Sequence, residues 1–237
     1  HKKGAADKAR GKLFAKLARQ IEVAARAGGG DVDTNATLRT MVQKAKAGQM
    51  TKDAIDRAIK RGIGDHDGAN YESITYEGYA PGGVAMLVDV LTDNRNRTAA
   101  DVRNAFSKFG GSMAEPGAVG WQFSRRGVIV VAGQFTEDDV MAAALEAGAE
   151  DIERDGETWR VFTEPAVVYD VQEKLVGNGI TVESAESTMI SSTTIEVTDA
   201  DEARQILRIM DMLEDNDDVQ DVYANFDIDE SIMQEVG

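Results

Sequence analysis

The chain has 237 residues, of which 42% are hydrophobic and none is cysteine, and its formal net charge is −16 at pH 7. This length suits one large domain or two to three small ones. The lack of cysteine excludes disulfides and cysteine-ligated zinc, and it is typical of a reducing cytosol. The longest apolar runs fall far short of the roughly 20 residues that span a bilayer. We therefore expect a cytoplasmic protein without a membrane segment.

The charge is divided unevenly along the chain. Residues 1–62 hold 15 Lys and Arg against 6 Asp and Glu, a net charge of +9, whereas residues 63–237 hold 11 against 36, a net charge of −25. Such a split indicates that the basic part binds nucleic acid or another acidic surface. Because the Debye length is about 8 Å at physiological salt, a separate basic domain would act largely on its own.

The first predicted helix covers residues 5–27. On a helical wheel, Leu13, Leu17 and Ile21 fall on one apolar flank, with Phe14 at its edge. The opposite side carries an outward-facing set of cations, which we name the basic stripe. The basic stripe consists of Lys8, Lys12, Lys16, Arg19 and Arg26.

Two more helices complete a basic head. The second is predicted from Asn35, as N-cap, to Gly48, and the third from Thr51 to Gly62. None of the three can bury its apolar face alone, so we expect an N-terminal three-helix bundle over residues 1–69. The third helix ends in a cluster of Arg57, Lys60 and Arg61, which also suits a helix C-terminus.

The basic stripe has two interpretations. A solvated helix face normally mixes signs, but Glu22 is the only acid between Lys8 and Arg26, and like charges repel at i,i+4 spacing. This cost favours a polyanion, and we predict phosphate contacts, with a solvated face as the alternative. A membrane-surface helix is disfavoured because the bundle needs the apolar face.

The acidic remainder predicts mixed α/β structure. Its first part reads as strands 71–79 and 84–91, a helix from 98 to 110 with Thr98 as N-cap, and a hairpin of 118–123 and 127–131 across 124–127.

The closing helix and strand of this β-α-β-β set come only at the end of the chain, with the helix at 199–215 capped by Thr198. A second set lies between them. It comprises a helix at 136–148, strands at 151–154 and 158–163, a helix at 165–177, and strands at 180–185 and 193–198. The predicted class is α+β: the helical bundle, then two α/β domains of ferredoxin-like type. The middle domain is discontinuous, 70–132 plus 199–237, with an inserted domain at 133–198.

Signals of catalysis are few. The two histidines are His1 and His66, and the consecutive loop residues 65–67 rarely converge on one metal ion. Nucleotide-binding and hydrolase motifs are missing from the sequence. We expect no catalytic residue, metal site or cofactor.

The acidic run 214–221 lacks the order of a calcium loop and is interpreted as a solvated helix end and turn. Trp121 and Trp159 are predicted to be core residues.

The segment 93–98 contains two of the few cations of the acidic part, Arg95 and Arg97. They precede a predicted helix N-terminus, where free N–H groups favour phosphate. Pairing with nearby Asp or Glu is an equally good interpretation, and the sequence leaves both open.

Five blocks in chain order resemble the YebC/PmpR family: HKKGAADKARGKLFAKL, IEVAARAGGGD, DAIDRAIKRG, YEGYAPGGVAMLVDVLTDNRNRTAADVRNAFSKFGG and LEDNDDVQDVYANFDI. The resemblance implies three domains and a non-enzymatic regulatory role. Family members are labelled probable transcriptional regulatory proteins that bind DNA, mitochondrial relatives are translational activators, and bacterial members have been tied to ribosomes stalled on proline runs. The matching basic positions are Lys2, Lys3, Lys8, Arg10, Lys12, Lys16, Arg95 and Arg97.

We therefore predict a nucleic-acid-binding regulator, with DNA placed first on the family resemblance. The alternatives are a ribosome-associated translation factor contacting ribosomal or transfer RNA, and an acidic adaptor that binds protein. A monomer is favoured. The predicted nucleic-acid contacts are Lys2, Lys3, Lys8, Arg10, Lys12, Lys16, Arg19, Arg26, Arg57, Lys60, Arg61, Arg95 and Arg97.

Overall fold

The computed structural model describes residues 2–64 and 70–237, with the side chains of Lys2 and Lys3 outside the description. Eight helices lie within these ranges: α1 (Lys2–Gly28), α2 (Ala36–Ala47), α3 (Lys52–Ile63), α4 (Arg95–Lys108), α5 (Glu137–Ala147), α6 (Val168–Gly177), α7 (Ala200–Asp215) and α8 (Glu230–Val236). The strands there are β1 (Glu72–Ala80), β2 (Val84–Thr92), β3 (Ser112–Ala114), β4 (Phe123–Ala132), β5 (Asp151–Asp155), β6 (Thr158–Thr163), β7 (Val182–Ser191), β8 (Ile195–Val197), β9 (Val219–Ala224) and β10 (Phe226–Ile228). The α+β class is confirmed, because N-terminal helices precede two four-stranded sheets.

The chain divides into two compact units. The first comprises residues 1–41, 51–123 and 191–237, and the second comprises 42–50 and 124–190. Each is built around its own sheet. The three-domain division with boundaries near 69, 132 and 198 stays a prediction.

The helices of the N-terminal region begin where their caps predict. Asn35 accepts from the Leu38 amide and donates to the carbonyls of Ala24 and Gly29, so it caps α2 and ties it to the end of α1. Thr51 caps α3 through the Ala54 amide.

The first unit has the antiparallel sheet order β3-β1-β2-β9, with α4 and α7 packed on it. Its core combines alternate residues of β2 with one face of each helix, including the fully buried Met86, Phe106 and Ile206. A Cβ at Gly78 of β1 would lie 2.6 Å from the Phe106 ring, so only glycine admits that ring. Strands β8 and β10 form a separate parallel pair.

The second unit has the sheet order β5-β6-β4-β7, and its core includes residues of α5 and α6. The predicted hairpin across 124–127 is wrong, because β4 runs unbroken from Phe123 to Ala132. Gly127 marks a close approach rather than a turn, since a Cβ there would collide with the Thr163 hydroxyl. Residues 128–132 pair with β6, which corrects their assignment to the sheet of the middle domain.

Two predicted helix caps are also wrong. Helix α4 begins three residues before Thr98, with the Asn94 side chain accepting from the Arg97 amide. Helix α7 is capped by Asp199, which accepts from the Asp201 amide, rather than by Thr198. In both cases Asn or Asp stands close before the helix, and these residues cap better than threonine.

The two tryptophans differ in environment. Trp159 is buried in the core of the second unit, as predicted, but Trp121 is 73% exposed. Trp121 lies in a 3₁₀ turn at 120–122 rather than in a strand, which corrects its predicted core position.

Candidate nucleic-acid interface

Helix α1 buries only part of the apolar flank that the helical wheel predicts. Leu17, Ile21 and Ala24 are buried, but Leu13 is 48% exposed, which corrects its predicted place in the core. At 1.5 Å per residue, the 27 residues of α1 span about 40 Å, whereas α3 spans about 18 Å. Helix α3 is therefore too short to cover all of α1, and Leu13 is among the α1 residues that stay exposed.

The middle of the basic stripe faces the acidic end of α7 instead of solvent. The Lys12 ammonium donates to the Asp215 carbonyl at 2.9 Å and to the Asp215 carboxylate at 2.5 Å. The Lys16 ammonium donates to the Glu214 carbonyl at 2.5 Å. Helix α7 has no basic residue in its last turn. The two lysines of α1 thus satisfy its terminal carbonyls and oppose its negative dipole end.

These contacts shift the ionisation of both partners. The hydrogen bond with Asp215 raises the pKa of Lys12, and the same bond lowers the pKa of Asp215. Burial lowers the pKa of Lys16, against the opposing field of Glu214. The contact with Asp215 therefore stabilises the charged form of Lys12, whereas burial at the end of α7 removes part of the hydration of Lys16.

Arg19 continues the contact into the sheet. Its guanidinium donates to the Leu91 carbonyl at 2.8 Å and to Asp218 at 3.1 Å, and it stacks on Tyr71 with 4.5 Å to the ring centroid. Asp218 is buried and also accepts from the Thr98 hydroxyl at 2.8 Å. Arg19 is thus a structural anchor between α1 and the sheet.

The structure pairs both cations of the central segment with carboxylates. Arg97 donates to Asp218 at 2.9 Å and to Asp93 at 3.2 Å. Arg95 pairs with Glu72 at 3.3 Å between exposed side chains. The interpretation as ion pairs holds for this segment, and phosphate binding by it stays a prediction.

The cations near the end of α3 divide into two kinds. Arg26 donates to the carbonyls of Arg61 and Gly62 and pairs with Glu22 at 3.6 Å, so it joins α1 to α3. The Arg61 guanidinium lies 3.8 Å from Glu22. Arg57 and Lys60 are exposed on the surface of α3.

The first turns of α1 carry its most accessible described cations, one from the basic stripe and one beside it. Lys8 and Arg10 are exposed, and within the described residues neither side chain makes a hydrogen bond or salt bridge, although the charge of Lys8 adds a little to the field that lowers the pKa of Asp215. Lys2 and Lys3 lie on the same helix, and their side chains are outside the described residues. The cations available to a polyanion without rearrangement therefore include Lys8, Arg10, Arg57 and Lys60.

The acidic run 214–221 is the element that sequence reasoning missed. The prediction of a solvated helix end is wrong, because this run accepts hydrogen bonds from Lys12, Lys16 and Arg19. One sequence signal points to it: an acidic helix end without a basic residue of its own needs cations from elsewhere.

In the part of the chain that the structure describes, no group of three or more His, Asp or Glu could hold a metal ion. The triplet 65–67 with His66 lies outside the described residues. Among the described helices, none combines the length and apolarity that crossing a membrane requires.

Comparison with known proteins covers nearly the whole chain. Residues 1–65 match the model of the TACO1/YebC protein N-terminal domain, and residues 71–226 match that of the TACO1/YebC second and third domain. A probable transcriptional regulatory protein of Rubrobacter xylanophilus is 56% identical over 237 residues, covering 99% of this chain and 94% of the relative. One of Citrifermentans bemidjiense is 50% identical over 236 residues, covering 100% and 95%.

A solved structure agrees with the fold. The crystal structure of a conserved hypothetical protein from Aquifex aeolicus superposes with a TM-score of 0.79 at 42% sequence identity, covering 93% of this chain and 91% of that one. The family models match both the helical head and the sheets, and the relatives are about half identical over their full length. Both findings assign the chain to the same family. The chain belongs to the TACO1/YebC family.

Proposed function

We propose that this protein is a non-enzymatic regulator that binds DNA through the basic face of its helical head. The observation that carries the proposal is the exposure of Lys8 and Arg10 on a head whose net charge is +9. Arg57 and Lys60 on α3 extend the positive surface of this head. Cations on helices neutralise phosphates and release condensed counterions, which supplies most of the affinity of such contacts.

The remainder of the chain supports a single binding face. Its charge of −25 repels a polyanion, so the head is the part that phosphates approach. Lys and Arg on one helix face position a nucleic-acid backbone but do not read bases. The names of the relatives, probable transcriptional regulatory proteins, support a role in transcription over other uses of this contact.

Salt dependence tests the phosphate contact. We expect the double variant Lys8→Gln/Arg10→Gln to bind a 20-base-pair duplex more weakly, with a log–log salt slope shallower by up to about 0.9 per lost phosphate contact. Fluorescence anisotropy over a salt series measures both quantities. The matched control is Lys174→Gln/Arg208→Gln, which removes the same charge from exposed positions outside the head. An unchanged slope in the first variant, or an equal change in the control, would refute the basic face.

The identity of the nucleic acid needs a second experiment. Crosslinking in cells, followed by sequencing of the attached strands, should recover promoter DNA. Recovery of ribosomal or transfer RNA instead would replace the transcriptional role with that of a ribosome-associated translation factor.

A further inference from the structure

The end of α7 offers α1 the same chemistry as a nucleic-acid backbone. Its oxygens include two terminal carbonyls and the carboxylates of Asp215, Asp217 and Asp218, and the helix dipole adds partial negative charge at this end. Lys12 and Lys16 are one helical turn apart and bind consecutive residues of this acidic end. Lysine is also a side chain that neutralises the phosphates of nucleic acid.

The contact between α1 and this acidic end weakens toward the start of α1. The side chains of Arg19 and Asp218 are 20% and 8% exposed, so that pair is closed to solvent. The side chains of Lys12 and Asp215 are 30% and 75% exposed. An exposed ion pair contributes little net stability, so its partners can be exchanged at low cost. Separating a buried pair is strongly destabilising, because it leaves an uncompensated buried charge. The pair nearest the start of α1 is thus the one that a competing anion can reach.

We propose that the acidic end of α7 is an autoinhibitory mimic of a polyanion, which nucleic acid displaces to gain Lys12 and Lys16. The inference rests on the proposed function and adds its regulation. In the resting state, Lys12 and Lys16 are engaged by α7, so among these lysines and their neighbours on α1 the phosphates meet Lys8 and Arg10 first. Displacement opens the first half of α1, with the Arg19–Asp218 pair remaining as its anchor. Anything that neutralises the end of α7 raises the affinity of the head.

The salt slope distinguishes this competition from a simple charge effect. When DNA takes Lys12, it releases counterions, but the vacated Asp215 carboxylate takes up a cation. The net release is therefore smaller than the number of phosphate contacts implies. Removal of the Asp215 charge abolishes this uptake, so the slope becomes steeper.

The variant Asp215→Asn tests the proposal. The change is mild for folding, because an acidic side chain at a helix C-terminus opposes the dipole. We expect about three- to tenfold tighter binding of the 20-base-pair duplex, with a salt slope steeper by roughly one. The matched control is Asp227→Asn, which removes one exposed charge from β10, a strand outside the main sheet.

Hydrogen exchange of the complete protein without nucleic acid gives an independent readout. Asp215→Asn should speed amide exchange in residues 8–16, and Asp227→Asn should not. Duplex added to the wild type should speed exchange at the end of α7. Equal affinity gains in both variants, or none in Asp215→Asn, overturn the autoinhibition while leaving the proposed function standing. Failure of the wild type and of Asp215→Asn to bind duplex overturns the proposed function, and the competition with it.

Discussion

Asp218 is the residue on which the basic head and the first sheet converge. Its carboxylate accepts hydrogen bonds from Arg97, Thr98 and Arg19, and its backbone carbonyl accepts from the Leu91 amide. Burial alone would raise the pKa of Asp218, but the three side-chain hydrogen bonds outweigh it and hold the pKa below its ordinary value. A buried carboxylate with this many donors is a structural centre.

Loss of this carboxylate should be costly. Asp218→Ala removes the carboxylate that Arg19, Arg97 and Thr98 share as an acceptor, and we expect a loss of about 3–5 kcal/mol in the free energy of unfolding. Urea unfolding measures it. The neighbouring Asp217 is exposed, and Asp217→Ala should change stability by less than about 0.5 kcal/mol. Similar losses in both variants would contradict the assigned role.

At the scale of elements, a glycine sets the distance between α1 and α3. Gly62 is buried, and a Cβ there would collide with the carbonyl oxygen of Glu22 and lie 2.8 Å from Ala25. Gly11 lies inside α1, where a Cβ would meet nothing within 4 Å. The helix contact thus requires glycine at position 62, whereas position 11 has room for a side chain.

Alanine at these two positions should act with opposite signs. Gly62→Ala forces the helices apart and should cost about 1–3 kcal/mol of unfolding free energy. Gly11→Ala removes backbone freedom from the unfolded chain and should stabilise by about 0.5–1 kcal/mol. Thermal and urea unfolding of both variants compare them directly. Stabilisation by Gly62→Ala would show that α1 and α3 are not in close contact.

At the scale of the whole molecule, stability depends on carboxylates that are buried and ionised. Glu77 resembles Asp218 in this respect: burial raises its pKa, but the amides of Gly117, Val119 and Gly120 donate to it and lower the pKa overall. Ordinary values are about 4.3 for Glu and 3.9 for Asp. Because the folded-state values lie below these, the stabilisation is complete above the ordinary values and is lost as pH falls through the folded-state values.

Acid should therefore destabilise the protein through these two groups. Urea unfolding from pH 7 to pH 3 should show a free energy that drops steeply below about pH 4. The double variant Glu77→Gln/Asp218→Asn should be less stable at pH 7 and should show a shallower drop. An equally steep drop in the variant would place the acid sensitivity on other carboxylates.

Local patterns in the sequence were sufficient for most elements. The apolar periodicity and cap residues predicted the three N-terminal helices, because Asn35 and Thr51 satisfy amides only a few residues away. The predictions are wrong where a residue contacts a partner that is distant in the sequence. Gly127 suggests a turn by its residue type, but its missing side chain makes room for the Thr163 hydroxyl of β6. Thr98 looked like a cap, but its hydroxyl bonds to Asp218, 120 residues away.

The sequence alone determined the composition of the candidate interface: a basic head, an acidic remainder and a helix with its cations on one side. It could not determine which of those cations remain accessible, because a helical wheel shows where side chains point and not what they meet. Only the tertiary structure brought the acidic end of α7 against Lys12, Lys16 and Arg19, across about 200 residues of chain. The physical reason is that these contacts join segments far apart in the sequence, so no local pattern records them, although the acidic end of α7 has no basic residue of its own in its last turn.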